Sequence, residues 1–156
     1  INLLNQNFKK TAMATTNIYL NFNGNCEDAF NFYKSVFRIG FSYFSRFGQV
    51  PENDKYTASE AYKNKIMHVA IPIGQSILMG SDCGEENAGN FLQGNNFSVS
   101  VTADTKEEAE RLFNGLAEGG QIIMPLNSTF WGDYFGMLTD KFGINWMVSF
   151  NEYQEQ

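Results

Sequence analysis

Lys65–Asp82, with the sequence KIMHVAIPIGQSILMGSD, contains two apolar segments joined by a short turn. Apolar residues fill most of both segments, and Gly74 and Gln75 stand where a two-residue hairpin turn belongs. This stretch is therefore predicted to be a β-hairpin around which the rest of the chain is organised. The turn predicts three residue pairs across the hairpin: Ile73 with Ser76, Ile71 with Leu78, and Ala70 with Met79.

His68 lies in the first strand of this hairpin and is the single histidine of the chain. Because side chains alternate between the two faces of a strand, His68 is predicted to share a face with Ile66, Ala70, Met79 and Ser81. An imidazole on such a face can act as a general base or as a hydrogen-bond donor near neutral pH. A lone histidine in an apolar strand is more often a packing residue, so both interpretations stay open.

The net charge of the chain argues against some classes of binding partner. The 156 residues carry a formal net charge of −6 and contain no run of Lys and Arg, which argues against binding to nucleic acid or to an anionic membrane surface. No apolar run reaches the roughly 20 residues needed to span a bilayer, and no secretory signal is expected, because no basic start is followed by an apolar centre. Two cysteines without a Cys-x-x-Cys pair are typical of a reducing compartment, so a cytoplasmic location is expected.

The segment before the hairpin reads as strand, helix and strand. Alternation predicts strands at 17–22 and 40–47, and apolar spacing predicts a helix that ends near Phe37. Asn25 is the predicted N-cap of this helix, with Asp28 in the position that a capping box favours. Cys26 falls in the first turn, where a thiol pKa can be lowered, although a small packing residue is the simpler interpretation.

The same order of elements recurs about 80 residues later. A strand is predicted at 96–102, and Thr105 with Glu108 forms a capping box for a helix that ends at Gly119. A short strand at 121–124 is predicted to stop at Pro125, and 134–150 forms a closing hairpin. This internal repeat indicates duplication.

The domain organisation follows from the repeat. Residues 1–12 fit nothing that follows and are interpreted as an N-terminal extension or cloning remnant, with Met13 as the natural start. Residues 13–156 form one domain of two modules, 16–82 and 96–150, joined by a linker at 83–95. The predicted fold class is α+β, with two βαβββ modules whose curled mixed sheets enclose a common cavity and whose helices cover the outside.

The segment 131–147, WGDYFGMLTDKFGINWM, resembles the W-G-D-x-F-G…D-x-F-G-x-x-W signature of the PhnB-like branch of the vicinal oxygen chelate superfamily. This branch is also labelled 3-demethylubiquinone 3-methyltransferase-like, and the superfamily includes glyoxalase I, extradiol dioxygenases and the bleomycin and fosfomycin resistance proteins. The segment 29–37 resembles its first helix, and Met67, His68 and Met79 resemble its first hairpin. The resemblance covers about residues 16–150 and implies a homodimer with a small-molecule cavity.

The resemblance also implies where a metal would bind. Metal-using members take His, Glu or Gln ligands from the first and last strands of each module, and these positions fall here on Asn17, Asn96, Met147 and either Leu78 or Met79. Amide oxygens and thioethers do not form a tight site for a hard divalent ion. No metal site and no cofactor are therefore expected, with a divalent metal kept as the alternative.

Five residues are the candidates for ligand binding: His68, Met79, Trp131, Tyr134 and Trp146. Phe130 and Phe135 complete a possible aromatic box, although core packing explains most of these rings. Ser81 and Cys83 are weak candidates for a nucleophile beside His68. Glu60 and Asp133 are carboxylates that are better explained as a solvated group and a turn anchor.

The predicted function is that of a small-molecule-binding protein of the PhnB-like branch, and the exact activity stays open. A metal-dependent lyase, isomerase or dioxygenase of the glyoxalase type is one alternative, and a metal-free enzyme that uses His68 is another. The methyltransferase label finds no support in the sequence, which lacks a nucleotide-binding βαβ unit.

Overall fold

The computed structural model describes residues 15–51, 57–130 and 132–151. The predictions for residues 1–12, Met13 and Trp131 lie outside these described residues. The first module contains β1 (Ile18–Phe22), α1 (Cys26–Phe37), β2 (Tyr43–Arg46), β3 (Ile66–Ile73) and β4 (Ser76–Asp82). The second contains β5 (Val99–Thr102), α2 (Lys106–Ala117), β6 (Gln121–Ser128), β7 (Asp133–Thr139) and β8 (Asn145–Asn151).

Each module forms one four-stranded mixed sheet. Sheet 1 has the order β1-β4-β3-β2, and sheet 2 has the order β5-β8-β7-β6. In both sheets the first strand of the module runs parallel to the last, and the other pairs are antiparallel. The prediction of two βαβββ modules with curled mixed sheets is confirmed, and the hairpin register is confirmed for all three predicted pairs.

The two helices lie between the sheets, which differs from the predicted arrangement with helices outside. Phe30 of α1 packs closely on Gly80 in sheet 1. On the other side of the same helix, the rings of Tyr33 and Phe37 lie 5.4 and 5.9 Å from that of Trp146 in sheet 2. Both helices and the helix-facing sides of both sheets form one hydrophobic core cluster. The other side of each sheet, called its open face below, therefore points away from the helices.

Two local predictions are corrected by contacts that are distant in sequence. Asn25 is the N-cap of α1, but its side chain makes no cap hydrogen bond. Oδ1 of Asp82 instead accepts hydrogen bonds from the backbone amides of Gly24 and Cys26, at 2.8 and 3.0 Å. Strand β6 continues through Pro125 to Ser128, because it is an edge strand whose pairing with β7 is already irregular there.

The second helix begins as predicted. The hydroxyl of Thr105 accepts a 3.1 Å hydrogen bond from the backbone amide of Glu108. The predicted linker at 83–95 contains a 3-10 helix at Glu85–Asn90. Within the described part of the chain, no helix combines the length and the apolar character that crossing a membrane requires.

Candidate functional site

The open face of sheet 1 is built from four strands whose registers bring distant residues together. Tyr19 on β1 lies opposite Met79 on β4, and Met79 lies opposite Ala70 on β3. Ala70 lies opposite Tyr43 on β2, and His68 lies opposite Ser45. The side chains that alternate onto this face are Tyr19, Asn21, Tyr43, Ser45, His68, Ala70, Pro72, Ile77, Met79 and Ser81.

His68 lies between two tyrosine rings on this face. The Tyr19 ring stacks on the imidazole with centroids 5.6 Å apart and an interplanar angle of 22°. The Tyr43 ring lies 5.4 Å away at 49°. The Tyr19 hydroxyl is 3.2 Å from Nδ1 of His68, within hydrogen-bond distance. The imidazole is half-buried, whereas Tyr19 and Tyr43 are 43% and 52% exposed, so the three rings form an accessible aromatic cluster.

Ile66 does not share this face, contrary to the alternation expected from the sequence. Arg46 pairs with Ile66 and Ser45 pairs with His68, so the register shifts by one residue and Met67 has no partner of its own on β2. A β-bulge of this kind interrupts the alternation of side chains. Ile66 is fully buried in the core as a result, while His68 stays on the open face.

The open face of sheet 1 carries no Asp, Glu, Lys or Arg among the residues assigned to it above. Glu60 is exposed and forms an ion pair with Lys63, as its interpretation as a solvated group predicted. Asp133 anchors the preceding turn through its backbone carbonyl, which accepts a 2.8 Å bond from the amide of Thr129. No carboxylate of the described residues is hydrogen-bonded to His68, so the structure does not form a His–carboxylate pair.

The candidate nucleophiles do not form an activated arrangement within the described residues. Ser81 is 9% exposed and makes no hydrogen bond to His68. The thiol of Cys83 donates to Oδ1 of Asn23 at 3.4 Å. Cys26 is fully buried, and burial, with smaller contributions from Asp82 and Glu27, raises the pKa of its thiol. The interpretation that the Cys26 pKa is lowered is therefore wrong. The interpretation of Cys26 as a packing residue agrees with its burial.

The structure separates two predicted ligand-binding residues from His68. Trp146 is fully buried in the core, where its Nε1 donates a 2.8 Å hydrogen bond to Asp140. Tyr134 packs against the core from sheet 2, and its hydroxyl donates to Glu110 on α2. Both side chains point to the helix side of sheet 2, so their assignment to the ligand site is corrected. His68 and Met79 remain together on the open face of sheet 1.

The structure does not bring the four expected metal-ligand positions together in pairs. Oδ1 of Asn17 accepts a 3.1 Å hydrogen bond from the amide of Ile77, and Asn96 precedes β5 without pairing with Met147. On the first strand of each module, the residues that lie opposite Met79 and Met147 are Tyr19 and Ser100. A phenol, a hydroxyl and two thioethers do not suit a hard divalent ion. The described residues contain no group of three or more His, Cys, Asp or Glu side chains placed to hold a metal.

Tyr19 and Tyr43 were not predicted as site residues, although they contact His68 directly. Tyr19 lies on β1, which pairs in parallel with β4 only after the chain has passed through α1, β2 and β3. No local sequence pattern specifies the register of such a pair. Tyr43 carried a usable signal, because alternation in the segment 40–47 places it on the same face as Ser45.

A separate cleft lies between the modules. It has a volume of about 430 Å³ and runs between the β3–β4 turn and the start of α2. Its lining includes Phe37, Ile73, Thr102 and Asp104 but not His68, so it is distinct from the aromatic cluster.

Comparison with known proteins places the chain among relatives along most of its length. The family model described as 3-demethylubiquinone-9 3-methyltransferase matches residues 14–149. Protein YjdN from Escherichia coli (strain K12) is 31% identical over 137 residues, which cover 84% of this chain and 91% of YjdN.

Solved structures agree with this result. Protein PA1353 from Pseudomonas aeruginosa is 40% identical, with a TM-score of 0.74 and coverage of 88% of this chain and 98% of that one. The PhnB protein from Bacillus cereus is 28% identical, with a TM-score of 0.67 and coverage of 88% and 99%. A glyoxalase/bleomycin resistance protein/dioxygenase family enzyme from Burkholderia phytofirmans shares the fold alone, at 17% identity and a TM-score of 0.55, covering 85% and 96%.

Proposed function

Because this chain belongs to the 3-demethylubiquinone-9 3-methyltransferase family, the PhnB-like branch of the glyoxalase/bleomycin resistance/dioxygenase superfamily, we propose that it binds a small molecule on the open face of sheet 1. The observation that carries this proposal is the position of His68 between the rings of Tyr19 and Tyr43. Aromatic rings provide a large apolar contact area, and His68 adds a polar group that can orient a ligand.

A second copy of the chain completes the site in this proposal. The open face of sheet 1 exposes Tyr19, Tyr43 and Ile77, the last of which is 39% exposed. Sheet 2 presents Met124 opposite Met137 on its own open face, and Met124 is 41% exposed. Because the helices separate the two sheets, one chain cannot bring these open faces together. Sheet 2 of a partner chain placed over sheet 1 would enclose His68 and bury both apolar surfaces.

Binding does not depend on a tightly held metal in this proposal. Tyr19, Met79, Ser100 and Met147 occupy the positions where a ligand set would be expected, and their donor atoms do not suit Zn, Fe, Ni or Mg. Metal analysis of purified, untagged protein tests this point. Far less than one equivalent of metal per chain is expected, and one equivalent of Ni, Zn or Fe would instead support the metal-dependent enzyme.

A thermal-shift screen of small metabolites tests the binding function, with light scattering coupled to size-exclusion chromatography as the measure of assembly. We expect a dimer, and at least one compound class that raises the melting temperature of the wild type but not of His68→Gln. Met137→Glu is expected to weaken both the dimer and the ligand response. A monomer that responds fully to ligands would contradict the role of the second copy, and an absence of hits would contradict the binding function.

A metal-free enzyme is the second candidate, and the 3.2 Å contact between the Tyr19 hydroxyl and Nδ1 of His68 favours it. A histidine whose ring is oriented by a hydrogen bond can transfer protons in acid–base catalysis. If His68 has this role, His68→Gln abolishes turnover of the identified ligand and leaves thermal stability nearly intact. A large loss of stability would indicate a packing role instead.

A further inference from the structure

The two nitrogen atoms of the His68 ring have different surroundings. The Tyr19 hydroxyl lies 3.2 Å from Nδ1, and Nε2 has no hydrogen-bond partner among the described residues. Stacking against Tyr19 and contact with Tyr43 restrict rotation of the ring. The ring is therefore held with Nδ1 directed at Tyr19, which leaves Nε2 for a bound molecule.

The positions of the two atoms allow either direction for the Tyr19–His68 hydrogen bond, and donor and acceptor strength favour one of them. A phenol O–H is a good donor, and the unprotonated nitrogen of a neutral imidazole is a good acceptor. The reverse arrangement would use the imidazole N–H as donor and the phenol oxygen, whose lone pair is delocalised into its ring, as acceptor. The hydrogen bond at one ring nitrogen sets the protonation of the other. A bond donated by Tyr19 to Nδ1 therefore places the ring proton on Nε2.

We propose that Tyr19 is a positioning residue that holds the His68 ring proton on Nε2, and that this N–H donates to a carbonyl oxygen of a neutral, flat, apolar molecule, an inference that rests on the proposed binding function. The flat part stacks against the exposed ring of Tyr43. The open face of sheet 1 favours a neutral molecule, because its assigned residues include no charged side chain to pair with an anion or a cation.

The cationic side chains of neighbouring residues contact groups away from His68. Arg46 follows Ser45 on β2, but its guanidinium donates to both carboxylate oxygens of Glu27 on α1, at 2.6 and 2.8 Å. Lys63 pairs with Glu60, and Lys65 donates to the carbonyl of Gly24. These cations are engaged on the side of α1 or in the loop before β3, so none of them supplies a positive charge beside His68.

The single histidine makes the tautomer directly measurable. Long-range ¹H–¹⁵N correlation spectra of ¹⁵N-labelled full-length protein contain ring signals from His68 alone. The wild type is expected to show a protonated Nε2 and an Nδ1 shift typical of a hydrogen-bond acceptor. Tyr19→Phe keeps the stacked ring and removes the donor, so Nδ1 is expected to move towards a free acceptor shift and the Nδ1–H form to increase. Tyr43→Phe is the matched control and should change neither signal.

Four small probes test the ligand class on the same samples: acetophenone, ethylbenzene, benzoate and benzylamine. Acetophenone is expected to perturb the His68 signals and to bind about fivefold more tightly than ethylbenzene, the effect of one hydrogen bond of ordinary strength. In Tyr19→Phe this ratio is expected to fall towards one, while ethylbenzene binds as before. A merely structural role for Tyr19 would change the binding of both compounds equally.

Each contrary result has a distinct meaning. An Nδ1–H tautomer in the wild type, or spectra that Tyr19→Phe leaves unchanged, overturns the positioning role. Tighter binding of benzoate or benzylamine than of acetophenone overturns the ligand class and leaves the binding function in place. If no probe perturbs any resonance of the open face, both the inference and the proposed function are overturned, whatever the tautomer.

Discussion

The Tyr33 hydroxyl donates a 2.7 Å hydrogen bond to Oδ2 of Asp140, and this contact joins α1 of the first module to the β7–β8 turn of the second. The same oxygen accepts a bond from Nε1 of Trp146, and Oδ1 accepts bonds from the backbone amides of Phe142 and Ile144. Asp140 is only 3% exposed. Four donors thus compensate a buried carboxylate within the signature segment.

Tyr33→Phe is expected to lower the free energy of unfolding by about 1.5–3 kcal/mol, the usual contribution of a hydrogen bond to a charged group. The carboxylate of Asp140 stays buried in this variant and loses one of its donors. Tyr43→Phe removes a hydroxyl from a half-exposed ring and should cost less than about 0.5 kcal/mol. Urea denaturation of both variants measures the difference, and equal losses would show that the contact between modules contributes nothing specific.

Structural features that depend on residues close together in the sequence were predicted correctly. The Gly74–Gln75 turn determined the hairpin register, and the Thr105 hydroxyl caps α2 as its capping box indicated. The bulge at Met67 left no sequence signal, so Ile66 was assigned to the wrong face. Trp146 was assignable in principle: Met147 was already placed at an expected metal-ligand position, and alternation then directs Trp146 to the opposite face of the strand.

The packing of the modules was not predictable in the same way. Helices with one apolar stripe can cover the outside of a barrel or fill the space between two sheets, and both arrangements give the same pattern. The choice depends on contacts such as that between Tyr33 and Trp146, two residues that lie 113 positions apart in the sequence. The site shows the same limitation, because Tyr19 meets His68 only after β1 pairs with β4.

Asp82→Asn is expected to lower the free energy of unfolding more than Asn25→Ala. Oδ1 of Asp82 accepts from the amides of Gly24 and Cys26 at the start of α1, and Oδ2 accepts from the amide of Ile66. An amide group turns one acceptor into a donor facing an N–H, at a cost of about 2–3 kcal/mol. Asn25 makes no side-chain cap bond, so its loss should cost under about 0.5 kcal/mol. If chemical denaturation shows the reverse order, the Asn25 side chain caps α1, as inferred from the sequence.

Gly80→Ala is expected to destabilise the packing of α1 on sheet 1. A Cβ at Gly80 would lie 2.5 Å from Cε2 of Phe30 and 2.9 Å from the carbonyl oxygen of Leu20, so the helix or the strand must shift. Overpacking of this kind costs about 1–3 kcal/mol. Gly40→Ala, where nothing lies within 4 Å of the added methyl group, is the control and should be nearly neutral.

Phe30→Leu in the Gly80→Ala background supplies the cross-check, because it removes the ring that the new methyl group meets. The double variant should be less destabilised than the sum of the two single changes. Additive losses in thermal or urea unfolding would place the strain elsewhere, for example at the Leu20 carbonyl.

Alkaline pH is expected to destabilise the protein through Cys26. Burial, with smaller contributions from Asp82 and Glu27, raises the pKa of this thiol in the folded state, whereas the unfolded chain titrates it near about 8.5. Above that pH the unfolded state binds fewer protons than the folded state, so the free energy of unfolding falls by about 1.4 kcal/mol per pH unit. Stability from this group is therefore complete below a pH of about 8.5 and is lost as the pH rises.

Urea denaturation of the wild type, Cys26→Ala and Cys83→Ser between pH values of about 8 and 9, below the ordinary tyrosine pKa of about 10, isolates this effect. Cys26→Ala should be less stable near neutral pH, because it leaves a small cavity, but should lose stability more slowly as the pH rises. Cys83 is only half-buried, so Cys83→Ser should keep the slope of the wild type. A thiol reagent provides an independent readout: it should modify Cys83 in the folded protein and reach Cys26 only after unfolding. If Cys26→Ala keeps the full alkaline slope, the proton held by this buried thiol is not its source.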